Sequence, residues 1–183
     1  IDYLLLTHAH LDHSGLIPRL VREGFDRPII TTKPSVDLAE IVMVDAAKIQ
    51  EEDAAYKRKR HQREKRKGPH PVEPLFGAKD AEDALQLLRG VRYGEEVKLN
   101  AQVSARFYDA GHILGSAMLE LTVREDGNER IIVFSGDLGQ QEKVLMYPPT
   151  LLECADYVVM ESTYGDKLHR DAGSVEDQLC EIV

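Results

Sequence analysis

The sequence predicts an α/β (α+β) fold whose later strands are antiparallel, and three features carry that expectation. Short apolar runs near the start alternate with stretches in which apolar residues recur every three to four positions, the spacing of a helix with one buried face. From Val91 onward, strand-forming runs follow one another between turn residues. A stretch dense in histidine stands directly after the first apolar run, where a strand hands over to a loop.

In chain order, Tyr3-Leu4-Leu5-Leu6 reads as a strand, and residues 16–22 read as a helix entered through Ser14-Gly15. Gly24-Phe25-Asp26-Arg27-Pro28 is a turn, and Ile29-Ile30-Thr31 a short buried strand. Pro34 suits the first turn of a helix. Leu38, Ile41, Val42, Ala46 and Ile49 continue that helix on one apolar face, which fades toward Lys67 while the charges continue. Gly68-Pro69-His70-Pro71 stops it. Residues 80–89 form a shorter helix with Ala84, Leu85 and Leu88 on one face. Strands are expected over residues 96–99, 102–110, 116–123 and 130–134, with Glu125-Asp126-Gly127-Asn128 as a hairpin turn between the last two. Residues 156–160 read as one more buried strand, and Ser174 as the cap of a helix running to Val183.

A length of 183 residues suits one domain or one and a half. The composition, 43% hydrophobic and 30% charged, is that of a soluble globular protein. No apolar run approaches the ~20 residues a membrane span needs, and no secretory leader opens the chain. Cys154 and Cys180 are far apart and lack metal-ligand spacing, which favours free thiols in a reducing, cytoplasmic setting. The chain begins at Ile1 inside a strand and stops at Val183 inside a helix, and so reads as a piece of a longer protein.

The chemistry concentrates in Thr7-His8-Ala9-His10-Leu11-Asp12-His13, which holds three of the seven histidines. Alternate residues of an extended segment point the same way, so His8 and His10 can reach one ion together. Asp12 and His13, at a helix start, are turned toward a second. Imidazole and carboxylate suit zinc, and ligand type alone also admits manganese or iron. Downstream, His112 lies at a strand end between glycines, and Asp137 follows the apolar run Ile131-Ile132-Val133-Phe134. A pair of ions ~3.5–4 Å apart wants a bridging carboxylate, the role open to Asp137. His61, His70 and His169 lie outside any ligand spacing and read as surface residues.

These segments resemble the metallo-β-lactamase superfamily. Asp109-Ala110-Gly111-His112-Ile113-Leu114-Gly115-Ser116-Ala117 and Glu161-Ser162-Thr163-Tyr164-Gly165-Asp166 narrow the likeness to its β-CASP branch of RNA-processing nucleases. Within that branch the likeness is to RNase J and, most, to the bacterial and archaeal relatives of the pre-mRNA 3′-end cleavage endonuclease. The resemblance implies an αββα sandwich with two face-to-face sheets. Residues 1–170 would be a partial domain lacking its N-terminal strands, and residues 171–183 the start of the β-CASP insert. It also implies a zinc-dependent ribonuclease that hydrolyses RNA phosphodiester bonds with water activated by two Zn2+. His8, His10 and His112 would hold one ion, Asp12 and His13 the other, and Asp137 would bridge them. Asp12 would orient the nucleophile, and Glu161 would support a histidine general acid supplied by the insert. Tyr164 would pack beside the metal site or, with Ser162, contact substrate.

Residues 57–67 carry eight Lys/Arg and one Glu, a net +7, which leaves −16 on the rest of a chain whose total is −9. Lys57, Arg58, Lys59 and Arg60 are the candidates for binding RNA, or single-stranded DNA, through salt-sensitive contacts. Equally, the run serves as a solvated helix end partly balanced by Glu51, Glu52 and Asp53. Two other functions fit the scaffold: a thioester or lactone hydrolase, and a non-catalytic member binding RNA or protein. The Glu161 segment and the basic run speak against the first, and a set of six ligands against the second. Open strand edges in a partial sandwich predict association with another copy or chain.

Overall fold

The structure, a computed structural model, describes residues 1–141, 145–166, 180 and 182. His169, the Ser174 cap and most of segment 171–183 lie outside these residues. Two sheets face each other, with helices on the far side of the first.

The first sheet is parallel, in the order β1 (Leu4–Leu5), β2 (Ile29–Thr32), β3 (Leu88–Val91). The second has the order β4 (Val97–Lys98), β5 (Val103–Asp109), β6 (Ala117–Glu125), β7 (Asn128–Phe134), β8 (Tyr157–Val159). Its first four strands are antiparallel neighbours, whereas β8 runs parallel to β7. The β6–β7 hairpin turns through Asp126 (φ 50°) and Gly127 (φ 77°). Positive φ at both central residues is the geometry a two-residue hairpin needs to match strand twist.

The helices are α1 (Leu11–Ser14), α2 (Ile17–Arg22), α3 (Lys33–Arg63) and α4 (Ala78–Leu87). One core fills the space between them and the first sheet, around Leu6, Ile17, Ile29, Met43, Phe76 and Leu88. The other lies between the sheets, where Ile30 meets Phe107, Ala117 and Leu119. Both faces of β2 are therefore covered, which explains why all four of its residues are buried, the two threonines included. Truncating fully buried Phe76 or Phe107 to alanine would cost about 3–5 kcal/mol. Three of the four αββα layers are thus described. On the second sheet's outer face the segment 149–155 lines a hollow with Met118, Val133 and Val158.

Four expectations are corrected. The helix from Pro34 ends at Arg63, not near Lys67. Its buried face is Ser35, Ala39, Met43, Ala46, Ala47 and Ala54, while Ile41 and Ile49 are exposed. Alanines let α3 lie close against β2 and β3, so the small side chains win the interface. Leu88 is buried as a strand residue, because α4 stops at Leu87 and the chain turns extended. Residues 157–159 form a strand that is exposed, because β8 is an edge of its sheet. Among the described residues no helix is long and apolar enough to cross a membrane.

Candidate metal centre

The cluster forms at the carboxyl end of β1, beside the end of β2. Leu6 still donates to the Ile30 carbonyl, and the Thr7 carbonyl then accepts from the Ala117 amide (2.9 Å). That bond fixes the histidine segment against the start of β6. His10 is the N-cap of α1 in extended backbone (φ −57°, ψ 148°), and its ring makes no capping bond. Buried Ser14 locks the turn by donating to the carbonyls of Ala9 and His10.

His8, His10, His112 and Asp137 lie together, the set the family resemblance implies. His8 Nε2 and His112 Nε2 each lie 3.1 Å from His10 Nδ1. Asp137 Oδ2 is 3.6 Å from His8 Nε2 and 3.5 Å from His112 Nε2. The other carboxylate oxygen, Oδ1, is 3.2 Å from His13 Nε2, which is itself 3.6 Å from Asp12 Oδ2. Two groups of donors therefore share Asp137, one oxygen apiece.

These separations have a chemical reading. Donors at 2.0–2.1 Å in a tetrahedron stand about 3.3 Å apart, the middle of the 3.1–3.6 Å spread seen here. His10 Nδ1 faces two imidazole nitrogens at once, although one proton can serve only one such contact. A divalent cation among them satisfies every lone pair, so the residues present fit a metal ion. The His8 side chain is fully buried, and its pKa is lowered to about 4, by burial first and then by the neighbouring imidazole of His13. It is therefore neutral at physiological pH, as a ligand must be. The second group is open, with the Asp12 side chain 77% exposed.

The surrounding shell includes residues the sequence does not flag. Thr7 Oγ1 lies 3.1 Å from His8 Nδ1 and orients its ring, and only its position next to His8 hints at this. The His112 loop is held by hydroxyls far away in the chain. Thr32 and Ser35 both donate to the Gly115 carbonyl, and Tyr93 to the Ser116 carbonyl. The Ser116 hydroxyl accepts from the His112 and Ile113 amides. Burial first, and then the charge of Asp109, push the Tyr93 phenol up to about 12, so it stays a donor.

Glu161 sits beneath the Asp137 loop rather than in the cage. Its carboxylate accepts from the Leu138 amide (2.6 Å), and its own amide donates to Ser135 Oγ. A hollow of about 330 Å³ opens alongside, lined by His112, Asp137, Leu138, Glu161 and Tyr164 among others. Tyr164 is 58% exposed on that rim. Lys57, Arg58, Lys59 and Arg60 stand apart, on the last turns of α3, with Arg60 paired to Glu64.

Comparison with known proteins agrees with this geometry. The family described as Metallo-beta-lactamase superfamily matches residues 1–98. Ribonuclease TTHA0252 of Thermus thermophilus is 40% identical over 183 residues, covering 100% of this chain and 36% of that protein. Transcription termination factor FttA of Pyrococcus abyssi is 30% identical over 193 residues, covering 100% and 26%. Probable RNase MJ4 of Methanocaldococcus jannaschii is 30% identical over 179 residues, covering 96% and 37%. The chain thus spans between about a quarter and somewhat over a third of the length of these relatives.

Proposed function

Because the chain belongs to the metallo-β-lactamase superfamily, we propose that it carries the metal site of a β-CASP-type ribonuclease that hydrolyses RNA phosphodiester bonds with two zinc ions. The observation that carries this reading is the double donor group sharing Asp137. The ribonuclease names of two relatives supply the substrate class.

His8, His10, His112 and one Asp137 oxygen would hold the first ion, and Asp12, His13 and the other oxygen the second. A divalent pair held by these residues would lower the pKa of water toward neutrality and offset negative charge during in-line displacement at phosphorus. Asp12, exposed at the rim, accepts a hydrogen bond from the attacking water and sets its line of approach. Thr7 holds the His8 ring, and Glu161 holds the Asp137 loop through Leu138. In the β-CASP pattern Glu161 further orients the histidine that protonates the leaving ribose oxygen. Residues 1–170 would form the metallo-β-lactamase-like part and residues 171–183 the entry to the insert. The two exposed cysteines, both free, suit a reducing cytoplasm.

The test is RNA cleavage by the full-length protein under chelation and zinc add-back. Activity should disappear with chelator and return with zinc, and His10→Ala should not be rescued. Cleavage that survives both treatments would refute the proposal. The apolar edge at Tyr157, Val158 and Val159 supports association with another copy. Sedimentation should therefore report a dimer or larger, and a compact monomer would contradict this.

A further inference from the structure

We propose that the far end of α3 is a second RNA-contacting site, a basic hollow that grips the sugar-phosphate backbone away from the metal cage. The proposal rests on RNA as the substrate class. The hollow measures about 430 Å³, and its charged and imidazole lining is Arg58, His61, Arg66, Lys67 and His70.

Its construction is unusual for a solvated helix end. Ala54 is the last buried residue of α3, so the helix runs on through residues 55–63 without a core to pack against. The chain then reverses in a Schellman-type turn, with the Lys65 amide bonded to Gln62 O and the Arg66 amide to His61 O. The left-handed position of that turn is held by Lys65 at φ 48°, a conformation that side-chain-bearing residues seldom adopt. The reversal carries Arg66 and Lys67 back over the helix. Arg58 ties down the returning chain by donating to the Val72 carbonyl (2.8 Å), and Gly68 lies against the His61 ring.

Most of the cations gathered there have no carboxylate within ion-pair distance among the described residues: only Arg60 and Arg66 of the eight reach one, and both reach Glu64. Glu51 is engaged elsewhere, accepting from the Ala78 amide at the start of α4. A +7 segment on a −16 body attracts a polyanion to this end of the molecule. The end is also remote from the cage. Ser35, in the first turn of α3, holds the His112 loop through Gly115, and Arg58 lies ~35 Å further along at 1.5 Å per residue. One strand touching both sites needs roughly ten stacked nucleotides at ~3.4 Å each.

The test is binding of cleavage-resistant single-stranded RNAs of ~8 and ~30 nucleotides to the metal-loaded full-length protein, so that binding is read apart from cleavage. Arg66→Gln with Lys67→Gln alters the hollow. Lys48→Gln with Lys98→Gln removes the same charge from exposed positions outside the basic segment. The first pair should weaken the long RNA about tenfold and flatten its log–log salt slope by about 1.4, two single-strand phosphates at ~0.7 each. The short RNA should shift less than about twofold, and the second pair should shift the long RNA less than about threefold. Equal effects of the two pairs, equal effects on the two lengths, or an unchanged slope would overturn the proposal. The expected pattern in a protein that cleaves no RNA would support the hollow while refuting the ribonuclease reading.

Discussion

Replacing Asp137 by alanine is expected to strip the full-length protein of metal and to lower RNA cleavage about 10³-fold or more, since metal-based charge stabilisation contributes several kcal/mol at ~1.4 kcal/mol per decade. Among the described residues, no other belongs to both donor groups. Its Oδ2 lies 3.6 Å from His8 and 3.5 Å from His112, while its Oδ1 lies 3.2 Å from His13. Alanine removes the carboxylate charge and opens both groups together. Asp137→Asn keeps the volume but weakens the electrostatic hold, so it should lose nearly as much. Asp12→Ala should behave differently, because its exposed carboxylate belongs to the second group alone, and one ion per chain should remain. Metal analysis and single-turnover cleavage on the same preparations check this. An Asp137→Ala protein with wild-type metal content and cleavage within tenfold of wild type would contradict it.

The second large effect is expected at Gly139, which carries no chemistry. A Cβ built there would stand 1.7 Å from the Gly111 carbonyl oxygen, 2.1 Å from its carbon and 2.8 Å from the His112 nitrogen. These are backbone atoms, so no side-chain rotation relieves the clash. The Gly139 amide also donates to Ala110 O (2.8 Å), lacing the Asp137 loop to the His112 loop. Gly139→Ala must push the two loops apart. The cost is expected to be about 3 kcal/mol, at the upper end for overpacking, or roughly 6–12 °C of melting temperature for a domain of this size. Metal affinity should fall in parallel, because Asp137 and His112 separate. Calorimetry with and without zinc reads both effects. A variant melting within about 1 °C of wild type, with unchanged zinc binding, would show that the loops do not depend on this contact.

The cage was legible because its chemistry is locally encoded. Three histidines and an aspartate within six residues leave little to tertiary folding beyond a strand end and a helix start. His112 and Asp137 were legible because each follows a strand-forming run and sits among glycines. The supporting shell was not legible, for the opposite reason. Thr32 reaches Gly115 across 83 residues and Tyr93 reaches Ser116 through a carbonyl, and hydroxyl–carbonyl bonds of this kind leave no pattern in a sequence. Periodicity found α3 but not its rotation. Ile41 and Ile49 satisfy the helical spacing, yet close packing on the sheet selects Ala39, Ala46 and Ala47. The basic run displayed its charge in the sequence, whereas its shape depends on the left-handed Lys65, a backbone choice that composition does not specify.

Metal-edge X-ray absorption on the zinc-loaded full-length protein tests most directly whether these six side chains bind a pair of cations. Two ions per chain are predicted, each ringed by nitrogen and oxygen at about 2.0–2.1 Å without sulfur, together with a metal–metal vector of ~3.5–4 Å. Less than one ion per chain under excess zinc, or sulfur scattering at ~2.3 Å that implicates the cysteines instead, would contradict it.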